Sequence, residues 1–181
     1  MRRVPDDRLV RAERDIEARL AGRPFDFESM AVVLNIYRAA TMVRNHMEQT
    51  VLAKHRLSWT AFKVLWVLWI WGEQEMGHAA EEANVSRTTM TGVVGTLERR
   101  GWVSRTRHPA SARTVLVDLT PTGTAVIEDV FPAFNAEETF AASVLTQQER
   151  RRLPKLLRKI INGLEEVDGP AVRSPLLPAD A

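Results

Sequence analysis

A capped polar helix running straight into an arginine-rich hairpin constrains this chain more than any other feature. It lies in the stretch from Val85 to Arg113, VSRTTMTGVVGTLERRGWVSRTRHPASAR. Ser86 is placed to accept the orphan amides of a first helical turn. Met90, Val94 and Leu97 then recur at i, i+4 and i+7, and Gly101 stands where a helix ends. The opposite face carries Arg87, Thr88, Thr91 and Gly92, all polar or small, so one face packs and the other stays free. After Gly101 the period becomes that of a strand. Trp102-Val103-Ser104-Arg105 runs to a turn at His108-Pro109-Ala110-Ser111, and Thr114 to Leu119 returns, predicting a two-stranded hairpin with a basic tip. The window holds six arginines against the single acid Glu98, a formal charge of +5, in a chain whose net charge is only +2. Basic charge is therefore gathered in one place, where a spread-out solubilising coat would distribute it.

The flanking sequence predicts helices. Residues 1–24 read as an N-terminal helical arm with a thin stripe of Leu9, Ile16 and Leu20, stopped by Gly22 and Pro24. Within 25–57, the spacing of Met30, Val33, Leu34, Tyr37, Ala40, Met47 and Val51 predicts a long helix to about Lys54. Residues 58–121 form the next unit. It opens with SWTAFKVLWVLWIWG, apolar nearly all round and so expected to be buried, continues with the short helix MGHAAEEA, and turns at Asn84. Residues 122–166 predict two more helices. In the second, Thr146 and Glu149 form a T-x-x-E capping box ahead of a stripe of Leu153, Leu156, Leu157, Ile160, Ile161 and Leu164, expected to be buried. Pro132 and Pro154 are expected to bend their helices. The tail, 167–181, has no period and is expected to be loosely ordered.

Composition removes several function classes. The chain has no cysteine, so thiolate zinc sites, disulfides and thiol redox sensing are excluded. The four histidines lack metal-ligand spacing, and no metal or other cofactor is expected. The charged N-terminus lacks a secretory apolar stretch, and no apolar run approaches the roughly 20 residues that span a bilayer, so the expected location is cytoplasmic, with no membrane partner. No Gly-rich phosphate loop, G-x-S-x-G or H-E-x-x-H occurs, and the chain does not read as an enzyme.

Short helix, Asn84 turn, capped helix and basic hairpin together describe a winged helix-turn-helix, a mainly α fold with a small β-wing, here flanked by N- and C-terminal dimerisation helices. In that arrangement Arg87 suits bidentate contact with guanine, and Ser86, Thr88, Thr89 and Thr91 suit phosphates or thymine methyls. Arg105, Arg107 and Arg113 of the wing suit the sugar-phosphate backbone or the minor groove. The expected partner is double-stranded operator DNA. The apolar stripes at the two chain ends would be exposed on a monomer, so a homodimer is expected, reading half-sites about one helical turn apart. Two readings compete with this: a winged-helix protein-interaction module, or the dimerising lobe of an enzyme whose catalytic part is absent. Neither needs the concentrated charge. A ligand-free architectural DNA binder is a third. Trp66 and Trp69 are either core packing or the wall of an aromatic cavity, with Arg44 and His46 as anchors for a carboxylate or phenolate.

The pieces LSWTAFKVLWVL, NVSRTTMTGVVGTLERRGWVSR and HPASARTVLVDLTPTG resemble the multiple antibiotic resistance regulator (MarR) family, over residues 30 to 166. The resemblance implies a homodimer with interlocking terminal helices, two winged lobes on a palindromic operator, and a small aromatic or phenolic ligand that weakens DNA binding. A ligand-relieved repressor is the expectation. One departure stands out: where the family's wing commonly has Asp two residues before its arginine, this chain has Ser111 before Arg113.

Overall fold

A computed structural model describes residues 7–168, in the order α1 (Asp7–Leu20), α2 (Phe27–Thr50), a 3₁₀ turn (Leu52–His55), α3 (Trp59–Trp71), β1 (Gln74–Glu75), α4 (Met76–Glu82), α5 (Arg87–Arg99), β2 (Val103–His108), β3 (Ser111–Leu119), α6 (Pro121–Ala142) and α7 (Gln147–Asp168). The expected loosely ordered tail lies outside the described residues. The chain divides into two compact units, one ending at Asn45 and one beginning at His46.

In the first unit, α1 ends at Gly22, whose φ of 80° suits a residue without Cβ. Asp26 starts α2 by accepting from the Ser29 hydroxyl at 2.6 Å and the Ser29 amide at 2.9 Å, and these bonds hold its carboxyl below the usual range. Asn35 of α2 donates to Glu13 of α1 at 2.6 Å, tying the two helices together.

The second unit is a winged helix-turn-helix built around α3. Phe62, Val64, Leu65, Val67 and Leu68 of α3 are buried, as its apolar circumference predicts, although Ile70 and Trp71 at its end are exposed. They share a core with Ala79, Ala80 and Ala83 from the α4 segment, Met90, Val94 and Leu97 of α5, Val103 and Val117 of the wing, and Ile127, Val130 and Phe134 of α6. Each fully buried Leu or Val contributes about 1.5 to 3 kcal/mol. α3 meets α6 through aromatic rings, Phe62 stacked on Phe134 at 4.1 Å and Trp66 tilted against Phe131 at 4.6 Å.

Two expectations are corrected. The long helix stops at Thr50 and not near Lys54, and a 3₁₀ turn follows. Val51, Leu52 and Leu57 are all buried around this turn, and Arg56 reverses the chain with φ 53°. The hairpin belongs to a three-stranded antiparallel sheet of order β1-β3-β2, because Gln74 and Glu75 pair with Val117 and Leu116. Two residues are too few to show a strand period. Leu153, Leu156, Ile160, Ile161 and Leu164 of the α7 stripe are all exposed, as expected of a lone chain. The capping box is present, with Thr146 N donating to Glu149 at 2.7 Å, and α6 and α7 run continuously through Pro132 and Pro154. Among the described residues no helix is long and apolar enough to cross a membrane.

Candidate nucleic-acid interface

The turn between α4 and α5 sets the interface. Asn84 takes the left-handed conformation, φ 48°, and its amide and that of Val85 return to Glu81 and Ala80 carbonyls, both at 2.9 Å. Two residues later Ser86 caps α5, its hydroxyl accepting from the Thr89 amide at 3.0 Å and lying 2.8 Å from the Thr89 hydroxyl. Such a cap is worth about 1 kcal/mol. With Met90, Val94 and Leu97 locked in the core, the opposite face of α5 shows Arg87, Thr88, Thr89, Thr91 and Gly92, all exposed. The Thr91 hydroxyl bonds back to Arg87 O at 2.9 Å, which leaves its methyl the freer part for an apolar contact.

This polar face is one wall of an open groove of about 380 Å³. Thr88, Thr89, Gly92, Val93 and Thr96 line it from α5, and Ser58 and Ala61 from the start of α3. Thr96 and Ser58 are absent from the set expected on sequence. Thr96 lies beyond the N-terminal turns, where base contacts are sought, and Ser58 reads simply as a helix cap, which it is: it accepts from Ala61 N at 3.1 Å.

In the wing, β2 and β3 pair with Arg105 opposite Val117 and Arg107 opposite Val115, and a register shift follows between Arg107 and His108. Alternation puts Arg105 and Arg107 on one face with buried Val103. Their fates differ. Arg105 donates to Glu98 of α5, and that pair holds the Glu98 carboxyl below its ordinary range. Arg107 is exposed and, among the described residues, has neither an ion pair nor a hydrogen bond. Arg113 lies in β3; its side chain is outside the described set. Ser111 bonds with the Thr114 hydroxyl at 2.9 Å.

The remaining arginines of the basic window are engaged locally. Arg99 donates to the Thr96 hydroxyl at 3.0 Å. Arg100 lies 4.8 Å over the Trp102 ring and donates to Arg56 O at 2.8 Å. Arg87 and Arg107 are thus the two described guanidiniums in the window without a hydrogen-bonding or charged partner among the described residues.

The residues considered for a ligand site are placed as follows. Arg44 is exposed on α2, in the first unit. In the second unit His46 Nε2 is 2.6 Å from Glu137 and its ring stacks 5.8 Å from Phe140. Trp66 and Trp69 pack on each other and on Phe131, the core alternative of the sequence reading. None of these four lines the groove beside α5. Among the described residues no group of three or more acids or histidines is arranged to hold a metal.

Residues 57–115 match the MarR family model. The chain is 34% identical to the uncharacterized HTH-type transcriptional regulator YwaE of Bacillus subtilis over 159 residues, 86% of this chain and 93% of that protein. Among solved structures it resembles Sco3205 of Streptomyces coelicolor, a MarR family transcriptional regulator in complex with DNA, with TM-score 0.75, 22% identity, and 83% and 96% of the two chains covered. It also resembles BpsR of Bordetella bronchiseptica, whose DNA binding is regulated by 6-hydroxynicotinic acid, with TM-score 0.66, 28% identity, and 71% and 97% covered.

Proposed function

This chain belongs to the MarR family of transcriptional regulators, and on that premise we propose that it is a homodimeric repressor reading a pseudo-palindromic operator. The observation that carries this reading is the free polar face of α5: Arg87, Thr88, Thr89 and Thr91 exposed beside a capped N-terminus, with a groove open along them. Arg87 is the base reader, suited to guanine O6 and N7, and the threonines meet phosphates or thymine methyls. Arg107 and Arg113 hold the backbone from the wing, with Arg105 contributing only when it leaves Glu98.

Dimerisation is supported by apolar side chains that a lone chain leaves in water. In the first unit these include Tyr37 and Met42, each 71% exposed; in the second they include Phe140, at 65%, and the α7 stripe. Soluble monomers seldom expose so many. A small aromatic acid as releasing ligand is suggested by the behaviour of BpsR. Arg44, His46, Trp66 and Trp69 remain the proposed contacts for it, with His46 having to leave Glu137.

Selection of bound duplexes from a random-sequence pool tests the DNA reading, and enrichment of a two-fold symmetric site is the expected result. Retention that is insensitive to salt and to sequence would instead favour the protein-interaction module. Sedimentation as a monomer at micromolar concentration would overturn the dimer. A thermal-shift screen of aromatic acids tests the ligand, since whatever binds the native state raises Tm.

A further inference from the structure

Lys63 is the one charged side chain of α3, a helix otherwise made of apolar residues, tryptophans and Thr60. Its ammonium is half-buried and reaches to the end of α4. It donates to the carbonyl of Ala83 and lies 3.3 Å from the carbonyl of Asn84. Those two carbonyls belong to the end of α4 and the left-handed turn residue, where the helix dipole leaves partial negative charge. The amides of the same turn are already satisfied within it, Ala83 on Ala79, Asn84 on Glu81 and Val85 on Ala80. Lys63 thus supplies the tie that fastens the turn to α3.

We propose that Lys63 is a positioning residue for DNA recognition, anchoring the Ala83-Asn84 turn to α3 and so fixing the direction in which α5 presents Arg87. The proposal rests on the reading of α5 as the DNA-reading helix. Its geometric basis is short: only Val85 and Ser86 separate Asn84 from the first residue of α5, so a rotation of the Asn84 peptide is carried directly into the helix axis. Arg87 reads a base only if its guanidinium meets the base edge in one plane, and small changes of aim cost such a contact.

The energetics argue that this lysine serves geometry more than stability. Half-burial pushes its ammonium below the ordinary lysine range. Desolvation therefore offsets what the two carbonyl contacts return. Lys63→Met removes the desolvation cost together with the two contacts, and the exposed Asn84 can turn its carbonyl to water, so the net change in stability is expected to be small. A lysine kept only to hold the fold would behave the other way round.

The test uses the full chain and two duplexes: the one most enriched by the wild-type protein from a random-sequence pool, and a random-sequence duplex of equal length. Lys63→Met is expected to lower the ratio of the two affinities about tenfold while Tm and the salt dependence on random DNA stay close to wild type. Lys63→Arg, which keeps donors at the same reach, is expected to recover most of the ratio. An unchanged ratio in Lys63→Met overturns the proposal. Equal loss on both duplexes with a shallower salt dependence also overturns it, because Lys63 would then be a phosphate contact. If Lys63→Met fails to fold, Lys63→Gln takes its place, and failure of both assigns Lys63 to the fold and overturns the proposal. Should the wild-type protein enrich no sequence, the DNA-reading proposal is what fails, and the role of Lys63 falls with it.

Discussion

Arg105 of the wing is paired with Glu98, seven residues earlier on α5, so one arginine of the basic window is neutralised by the helix beside it. The pair holds Glu98 below the usual carboxyl range, so it persists at neutral pH. The charge that DNA meets is accordingly smaller than the composition of the window suggests. Glu98→Ala removes an acid and frees a guanidinium. It is expected to tighten binding to all duplexes and to steepen the log–log salt dependence by about 1, the signature of one further phosphate contact. Fluorescence anisotropy on one duplex across a salt series measures both. A slope equal to wild type would mean that Arg105 stays away from the backbone even when released.

Arg87 and Arg107 are both exposed and unpaired within the described residues, yet they sit on different elements, and their substitutions should differ in kind. Arg87→Ala is expected to relax discrimination at one base position by about 1 to 3 kcal/mol, with little effect on random DNA. Arg107→Ala is expected to weaken every duplex similarly and to lower the salt slope by about 1. Repeating the pool selection with each variant separates them. A uniform loss on all sequences for Arg87→Ala would remove it as a base reader.

Gly123 is required by a close approach. A Cβ there would stand 1.9 Å from the carbonyl oxygen of Trp102, which also accepts from the Thr120 amide at 3.0 Å. Thr120 caps α6 through Gly123 N at 3.0 Å and donates to Gly101 O at 2.6 Å, so helix, cap and strand entrance share one small space. Gly123→Ala must move backbone, and a loss of about 3 kcal/mol is expected by denaturant unfolding. Gly92→Ala is the control, since nothing lies within 4 Å of its added methyl, and it should stabilise by up to about 1 kcal/mol.

The parts of this molecule that announce themselves through local chemistry were legible in the sequence. Ser86 and Thr146 sit where caps must, Asn84 takes the turn, and Met90, Val94 and Leu97 reach zero exposure as their spacing requires. What depended on partners distant in sequence was not legible. The two residues of β1 have no period of their own and become a strand only because β3 offers an edge. The charge of Arg105 was visible, whereas its capture by Glu98 follows from the angle between helix and wing. Lys63 looks like any helix-surface lysine until the turn 20 residues away is brought beneath it. The α7 stripe was legible as apolar and is exposed on the lone chain as expected, but patterning reports which face seeks burial and not what supplies it.

Glu82, at the end of α4, gives the lobe a pH dependence with a definite sign. Its side chain is 12% exposed, and its Oε2 is buried without a hydrogen-bond partner among the described residues. Its Oε1 lies 3.2 Å from His78 Nε2. Gln74 donates to Trp71 O at 3.1 Å, and its Oε1 lies 2.5 Å from His78 Nδ1. Burial accordingly raises the Glu82 carboxyl above its ordinary value; His78 opposes the rise and Glu81 adds to it. The folded state therefore binds this proton more tightly than the unfolded chain. Its contribution to stability is complete below the ordinary value of 4.5 and is lost as pH rises through the raised one. As pH rises through that raised value, charge builds on a carboxylate whose Oε2 is buried and unpaired, which Glu82→Gln relieves. The variant is expected to gain about 1 kcal/mol, roughly 3 °C in Tm, at pH 7. At pH 4 both side chains are neutral and the gain should shrink toward zero. Thermal unfolding at the two pH values decides it: a loss of stability at pH 7 would show that Glu82 is held as a charge by a partner, and the same gain at both would show that its ionisation is not the cause.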